Sequence, residues 1–108
     1  NNFIGGCVTT PHKEAVFKWL KGRLTYSSKK IGAVNCLFRD KNGTLKGTNT
    51  DGEAALESFK KKFGSIKNKK ILLIGPGGAG KAVASYFIGE MLKKSNLTIT
   101  GRSKLSKK

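Results

Sequence analysis

The sequence has 108 residues, enough for one modest core, since a chain of this size buries only about 60–70% of the surface it exposes when unfolded. Its 22 Lys and Arg against 6 Asp and Glu give a net charge of +16, which favours polyanions in general; yet the lysines are scattered in groups such as Lys29-Lys30, Lys60-Lys61-Lys62 and Lys69-Lys70, with few aromatics between them to stack bases. No apolar run approaches the roughly 18 residues of a membrane span, and Cys7 and Cys36 lie far apart without CxxC or His/Cys spacing, so no specific nucleic-acid site, membrane span or metal site is expected, and the thiols read as reduced ones in a cytoplasmic protein.

The chain opens on Asn1-Asn2-Phe3 rather than Met and stops just after a strand-like stretch, so it reads as a piece of a longer protein. Thr10-Pro11 ends an opening extended segment. Val16, Phe17, Trp19 and Leu20 give an apolar side to a helix predicted over residues 14 to about 21, stopped by Gly22. Small and apolar residues over 31–38 lead through Asp40-Lys41-Asn42-Gly43 into Thr44-Leu45-Lys46-Gly47. This predicts a β-hairpin, because Asn-Gly accepts the positive φ angles of a tight turn.

Thr50 or Asp51 can cap a helix running to about Phe63, with Glu53 near its positive end and lysines near its negative end. Gly64 stops it. Lys70-Ile71-Leu72-Leu73-Ile74 is a short continuous apolar run of the kind expected for a strand buried on both faces. A helix over about 78–93 and a strand at Asn96-Leu97-Thr98-Ile99-Thr100 complete a βαβ unit with a parallel strand pair.

Gly75-Pro76-Gly77-Gly78-Ala79-Gly80 fits G-x-G-x-x-G directly after that strand and opens the following helix. The first glycine permits the tight turn, the second lets backbone approach a pyrophosphate, the third allows close packing, and the free N–H groups of the helix start face the anion. The run also reads G-x-x-x-x-G-K, but a P-loop wants Ser or Thr where Ala82 stands, to hold magnesium. About 20 residues beyond the last glycine, an NAD enzyme places an acid on the ribose 2′-hydroxyl. Here stand Gly101, Arg102 and Ser103, and the arginine fork suits a 2′-phosphate, so NADP is expected over NAD.

Three further segments precede this unit: Val8-Thr9-Thr10-Pro11-His12-Lys13-Glu14, Ile31-Gly32-Ala33-Val34-Asn35 and Gly47-Thr48-Asn49-Thr50-Asp51. Taken with the glycine turn and Gly101-Arg102-Ser103, they resemble the shikimate dehydrogenase family along nearly the whole chain. The resemblance implies an α/β fold, with residues 1–50 as the tail of a substrate-binding domain. Residues 51–108 are then a linking helix and the first βαβ unit of a Rossmann-like NADP-binding domain. It implies NADP-linked interconversion of 3-dehydroshikimate and shikimate, in a monomer or homodimer. Lys13 and Asp51 match the catalytic pair. Thr9 and Asn35 match substrate-binding positions, while Gly75, Gly77, Gly78, Ala79, Gly80, Arg102 and Ser103 match cofactor contacts.

Chemically, hydride delivery to a ketone requires a proton at the resulting oxygen. A lysine can shuttle it where desolvation lowers its pKa, and a neighbouring carboxylate opposes that shift but fixes the ammonium in place. His12, the only histidine, is left out, because in the family pattern the following lysine acts. The departures from the pattern are Cys7 for an asparagine, Thr10 for an aliphatic residue, Pro76 for a small residue and Gly101 for an asparagine. Taken singly, Lys13 reads as a surface lysine and Asp51 as a helix cap. A quinate/shikimate dehydrogenase paralogue and a non-catalytic basic binding module are the alternative readings.

Overall fold

A computed structural model describes residues 3–91 and 96–101. The chain divides into two compact units, Asn1–Thr50 and Asp51–Lys108.

In the first unit three strands form an antiparallel sheet in the order β1 (Gly5–Cys7), β2 (Cys36–Arg39), β3 (Leu45–Thr48). The register sets Cys7 opposite Cys36 and Cys36 opposite Thr48. The hairpin is where the sequence placed it, but its strands are shorter and its turn works differently. Gly43 alone takes positive φ, at 77°, and Asp40 organises the loop: its Oδ1 accepts the N–H groups of Asn42 (2.9 Å) and Thr44 (3.0 Å), and its Oδ2 meets Lys46 Nζ at 3.2 Å. The Thr44 amide above all, helped by Lys46 and Asn42, holds the Asp40 carboxyl below the usual carboxylate range, although partial desolvation works in the opposite direction.

Helix α1 spans Lys13–Trp19, ending earlier than its apolar spacing predicts, because Lys21 (φ 48°) and Gly22 (φ 91°) both turn left-handed. Leu20 is fully buried, whereas Trp19 stays 58% exposed beneath the Arg23 guanidinium, 5.4 Å from the ring centroid. A second helix, α2 (Tyr26–Ile31), occupies ground the sequence left unassigned. Its sequence has no apolar stripe, but Thr25 caps one end and Gly32 (φ 78°) closes the other, with its N–H donating to the Ser28 carbonyl. The Thr25 hydroxyl also donates to Thr48 Oγ1 at 2.9 Å, and buried Ser28 donates to the Gly47 carbonyl at 3.1 Å. Two backbone bonds of 2.9 Å, from Gly47 N–H to Arg23 and from Thr25 N–H to Gly47, lay residues 23–25 along the outer side of β3. Gly47 is obligatory there: a Cβ would run into Leu20 and Val34.

In the second unit α3 covers Asp51–Phe63, β4 Lys70–Ile74, α4 Gly78–Glu90 and β5 Asn96–Thr100. Strands β4 and β5 pair in parallel, with Ile71 opposite Leu97 and Leu73 opposite Ile99. Gly64 (φ 77°) ends α3 as its sequence predicts, its N–H donating to the Lys60 carbonyl. Leu56, Ile66 and Phe87 form the core, and Phe59 meets the Phe87 ring edge-on at 5.6 Å. Each such side chain contributes about 1.5–3 kcal/mol on burial. Gly52 lets α3 approach α4 closely, since a Cβ there would strike the Ala82 carbonyl and the Tyr86 ring.

Two expectations change in this unit. Helix α4 ends at Glu90, with Met91 extended (ψ 140°), and the remainder of the predicted helix to Lys93 runs into residues outside those described. Strand β4 is covered on one face only. Leu72 and Ile74 point away from the helices and are 61% and 75% exposed, because within this chain α3 and α4 supply just one apolar layer.

Candidate active site

The first unit gathers three of the residues singled out in the sequence through backbone hydrogen bonds. The Val8 N–H donates to the Asn35 carbonyl at 2.7 Å and the Val34 N–H to the Lys13 carbonyl at 3.0 Å. Thr9 and Lys13, at opposite ends of a tight turn closed by His12 N–H donating to the Thr9 carbonyl (2.9 Å), thus both border the 34–35 segment. Thr9 is exposed and Lys13 and Asn35 half-buried.

Asn35 is tied to the 48–50 segment by three hydrogen bonds. Its N–H donates to the Thr48 carbonyl (3.0 Å), its Oδ1 accepts the Thr50 N–H (3.1 Å), and its Nδ2 donates to Thr50 Oγ1 (3.0 Å). Asn49, 1% exposed, donates from Nδ2 to the Ala33 carbonyl at 3.2 Å. Sequence reasoning passed over Asn49; its signal was an amide between two threonines at a strand end, which only burial makes structural. Asp51 follows Thr50 by one peptide bond and is the first residue of α3 in the second unit.

The glycine turn lies wholly in that second unit. Gly75 (φ 113°) turns the chain out of β4, and its N–H donates to the Thr100 carbonyl at 2.7 Å, joining the turn to the end of β5. Gly77 caps α4 without a side-chain bond, and a Cβ on it would meet nothing within 4 Å, which leaves room for a ligand. Gly78, Ala79 and Gly80 form the first turn of α4, whose N–H groups have no partner inside the helix and suit an anion. A Cβ on Gly80 would collide with the Gly75 carbonyl oxygen, so only glycine closes the turn this tightly. Pro76 brings no N–H to such a cradle. Its ring stands against Gly101, where a Cβ would lie 2.9 Å from Pro76 Cγ and closer still to Cδ. The two departures seen in the sequence therefore touch. Arg102 and Ser103 lie outside the described residues.

A depression of about 450 Å³ opens between Lys70, Leu72, Asn96 and Thr98. It sits at the start of β4 and β5, whereas dinucleotides bind parallel sheets beyond the carboxyl ends of the strands, so it is not the candidate site. Among the described residues there is no cluster of three or more metal-ligating side chains, and no helix is long and apolar enough to cross a membrane.

No protein-family model matches the chain. A shikimate dehydrogenase (NADP(+)) of Methanococcus maripaludis is 40% identical over 102 residues, covering 94% of this chain and 34% of that protein. The chain belongs to the shikimate dehydrogenase family. It spans about a third of the length of the curated relatives it matches. The crystal structure of shikimate dehydrogenase 1 from Peptoclostridium difficile superposes with a TM-score of 0.83 at 35% identity, over 98% of this chain and 38% of that one. The Thermus thermophilus shikimate 5-dehydrogenase, solved in complex with NADP(H) and shikimate, matches with a TM-score of 0.74 at 32% identity, over 95% and 37%. The α/β class expected from the sequence is thus the family's own.

Proposed function

We propose that this chain supplies part of an NADP-dependent oxidoreductase that interconverts 3-dehydroshikimate and shikimate. Residues 1–50 belong to its substrate-binding domain, and residues 51–108 supply the linking helix and the start of its cofactor domain. The observation that carries the reading is the meeting of the Thr9–Lys13 turn with Asn35, more than twenty residues further along the sequence, through the Val8–Asn35 and Val34–Lys13 backbone bonds.

In this reading Thr9 and Asn35 bind substrate hydroxyls, and the clasp on Thr50 keeps the Asn35 amide in a fixed orientation. The Lys13 ammonium gives a proton to the carbonyl oxygen as the ketone is reduced, and takes it back in the reverse direction. Asp51 is the carboxylate that the family pattern pairs with this lysine. The first-turn amides of Gly78, Ala79 and Gly80 hold the pyrophosphate, and Arg102 with Ser103 takes the 2′-phosphate. The dinucleotide, when bound, supplies or accepts the hydride. Fixing the reactants in one geometry accounts for much of the acceleration in reactions of this kind.

The test is steady-state turnover of the complete protein with shikimate or quinate, each with NADP+ and with NAD+. Oxidation of shikimate with a clear preference for NADP+ is the expected result. Preference for quinate or equal use of both cofactors would favour the quinate/shikimate paralogue. No turnover, together with tight, steeply salt-dependent binding to arbitrary DNA, would favour a basic binding module.

A further inference from the structure

The register of the first sheet sets Cys7 of β1 directly opposite Cys36 of β2. The bonds from Val8 N–H to Asn35 and from Arg39 N–H to Ile4 mark 8/35 and 4/39 as hydrogen-bonded pairs. Alternation along an antiparallel ladder then makes Cys7/Cys36 a non-hydrogen-bonded pair, with Cα atoms about 4.5 Å apart and both side chains on one face. That separation lies within the range a disulfide spans. Both thiols are free; Cys7 is exposed and accessible to an oxidant, and Cys36 is half-buried, its Sγ 3.7 Å from the Leu37 carbonyl oxygen.

We propose that Cys7 and Cys36 form a redox-active dithiol, closed to an intramolecular disulfide by a hydroperoxide and reopened by a dithiol reductant. With hydrogen peroxide the Cys7 sulfur attacks one oxygen: an S–O bond forms, the O–O bond breaks, one water leaves, and a sulfenic acid remains. The Cys36 sulfur then attacks the Cys7 sulfur. The S–S bond forms, the S–O bond breaks, and the hydroxyl departs with the Cys36 proton as the second water. The two thiols lose two electrons and the peroxide gains them. A dithiol reverses the step by thiol–disulfide exchange.

The pair stands where closure would be felt. Asn35 adjoins Cys36, and Thr9 lies two residues beyond Cys7. Directly opposed Cβ atoms in a sheet are about 4.5–5.5 Å apart, whereas a disulfide holds them near 3.8 Å, so bond formation draws the strands together by about 1 Å at this point. A shift of that size beside the two residues assigned to substrate is enough to slow a positioned reaction substantially. This consequence rests on the proposed function; the disulfide itself does not.

The experiment treats the complete protein with hydrogen peroxide, alkylates the remaining thiols, and digests it without reduction for mass spectrometry, with turnover measured in parallel. The expected result is a Cys7–Cys36 linked peptide and a fall in kcat/KM for shikimate of roughly tenfold, both reversed by dithiothreitol and both absent in Cys7→Ser and in Cys36→Ser. The proposal is overturned if Cys36 remains fully alkylatable while Cys7 goes to a sulfinic acid or an intermolecular bond. Turnover of shikimate by the linked protein as fast as by the reduced one would overturn the effect on the substrate residues. Lack of turnover in the reduced protein would instead reject the dehydrogenase reading, while the peptide map would still decide the disulfide.

Discussion

At the scale of single residues, the proton role assigned to Lys13 makes the sharpest demand. Lys13→Ala in the complete protein is expected to lower kcat by roughly 10²–10⁴-fold, the usual effect of losing a general acid–base, with NADP+ affinity measured by fluorescence little changed. An unaltered kcat would dismiss the assignment. Asp40 makes a second demand, on stability. Its carboxyl pKa is lowered in the fold, chiefly by the Thr44 amide, so its contribution is present above the ordinary carboxylate pKa of about 3.9 and disappears as pH falls through the lower folded value. Asp40→Asn keeps an acceptor oxygen but removes the charge. Thermal unfolding should therefore separate the two proteins at pH 7, and the gap should narrow as the pH approaches 3. The segments around Thr9, Lys13 and Asn35 stood out only through their resemblance to the family, since taken singly these side chains read as ordinary surface or turn groups; Asn49 did not stand out, since nothing in Thr48-Asn49-Thr50 announces an amide 1% exposed. The facing of Cys7 and Cys36 depends on strand register, which a one-residue slip would abolish.

At the scale of elements, α3, β4, α4 and β5 were readable because caps, stops and apolar runs agree with one another. Helix α2 was not, because capping by Thr25 and Gly32 and the hydroxyl bonds to Thr48 and Gly47 replace the apolar stripe that sequence reading looks for. The contact between the glycine turn and the end of β5 offers a prediction of its own. Since the Pro76 ring fills the space a side chain at 101 would need, Gly101→Ala alone should weaken NADP+ binding and lower the unfolding midpoint. Adding Pro76→Ala should recover most of both losses, because contacting residues are not additive. Simple additivity in the double variant would show that the contact carries no energy.

At the scale of the whole molecule, the exposed face of β4 is the largest departure from expectation. Leu72 and Ile74 look outward, and apolar surface of this kind promotes association. The 108-residue polypeptide taken alone should self-associate in sedimentation velocity at low micromolar concentration, and Leu72→Thr with Ile74→Thr should shift it toward monomer. A monomeric parent would contradict this. The continuous apolar run of β4 correctly announced a strand; which layers would cover it was never encoded in that stretch.

The pairing of residues 23–25 with Gly47 has a protective effect on the other sheet. By using both the N–H and the C=O of Gly47, it denies the outer side of β3 to any foreign strand seeking to add itself there. What remains is the outer side of β1, three residues long with glycine at two of them, a poor template for further growth.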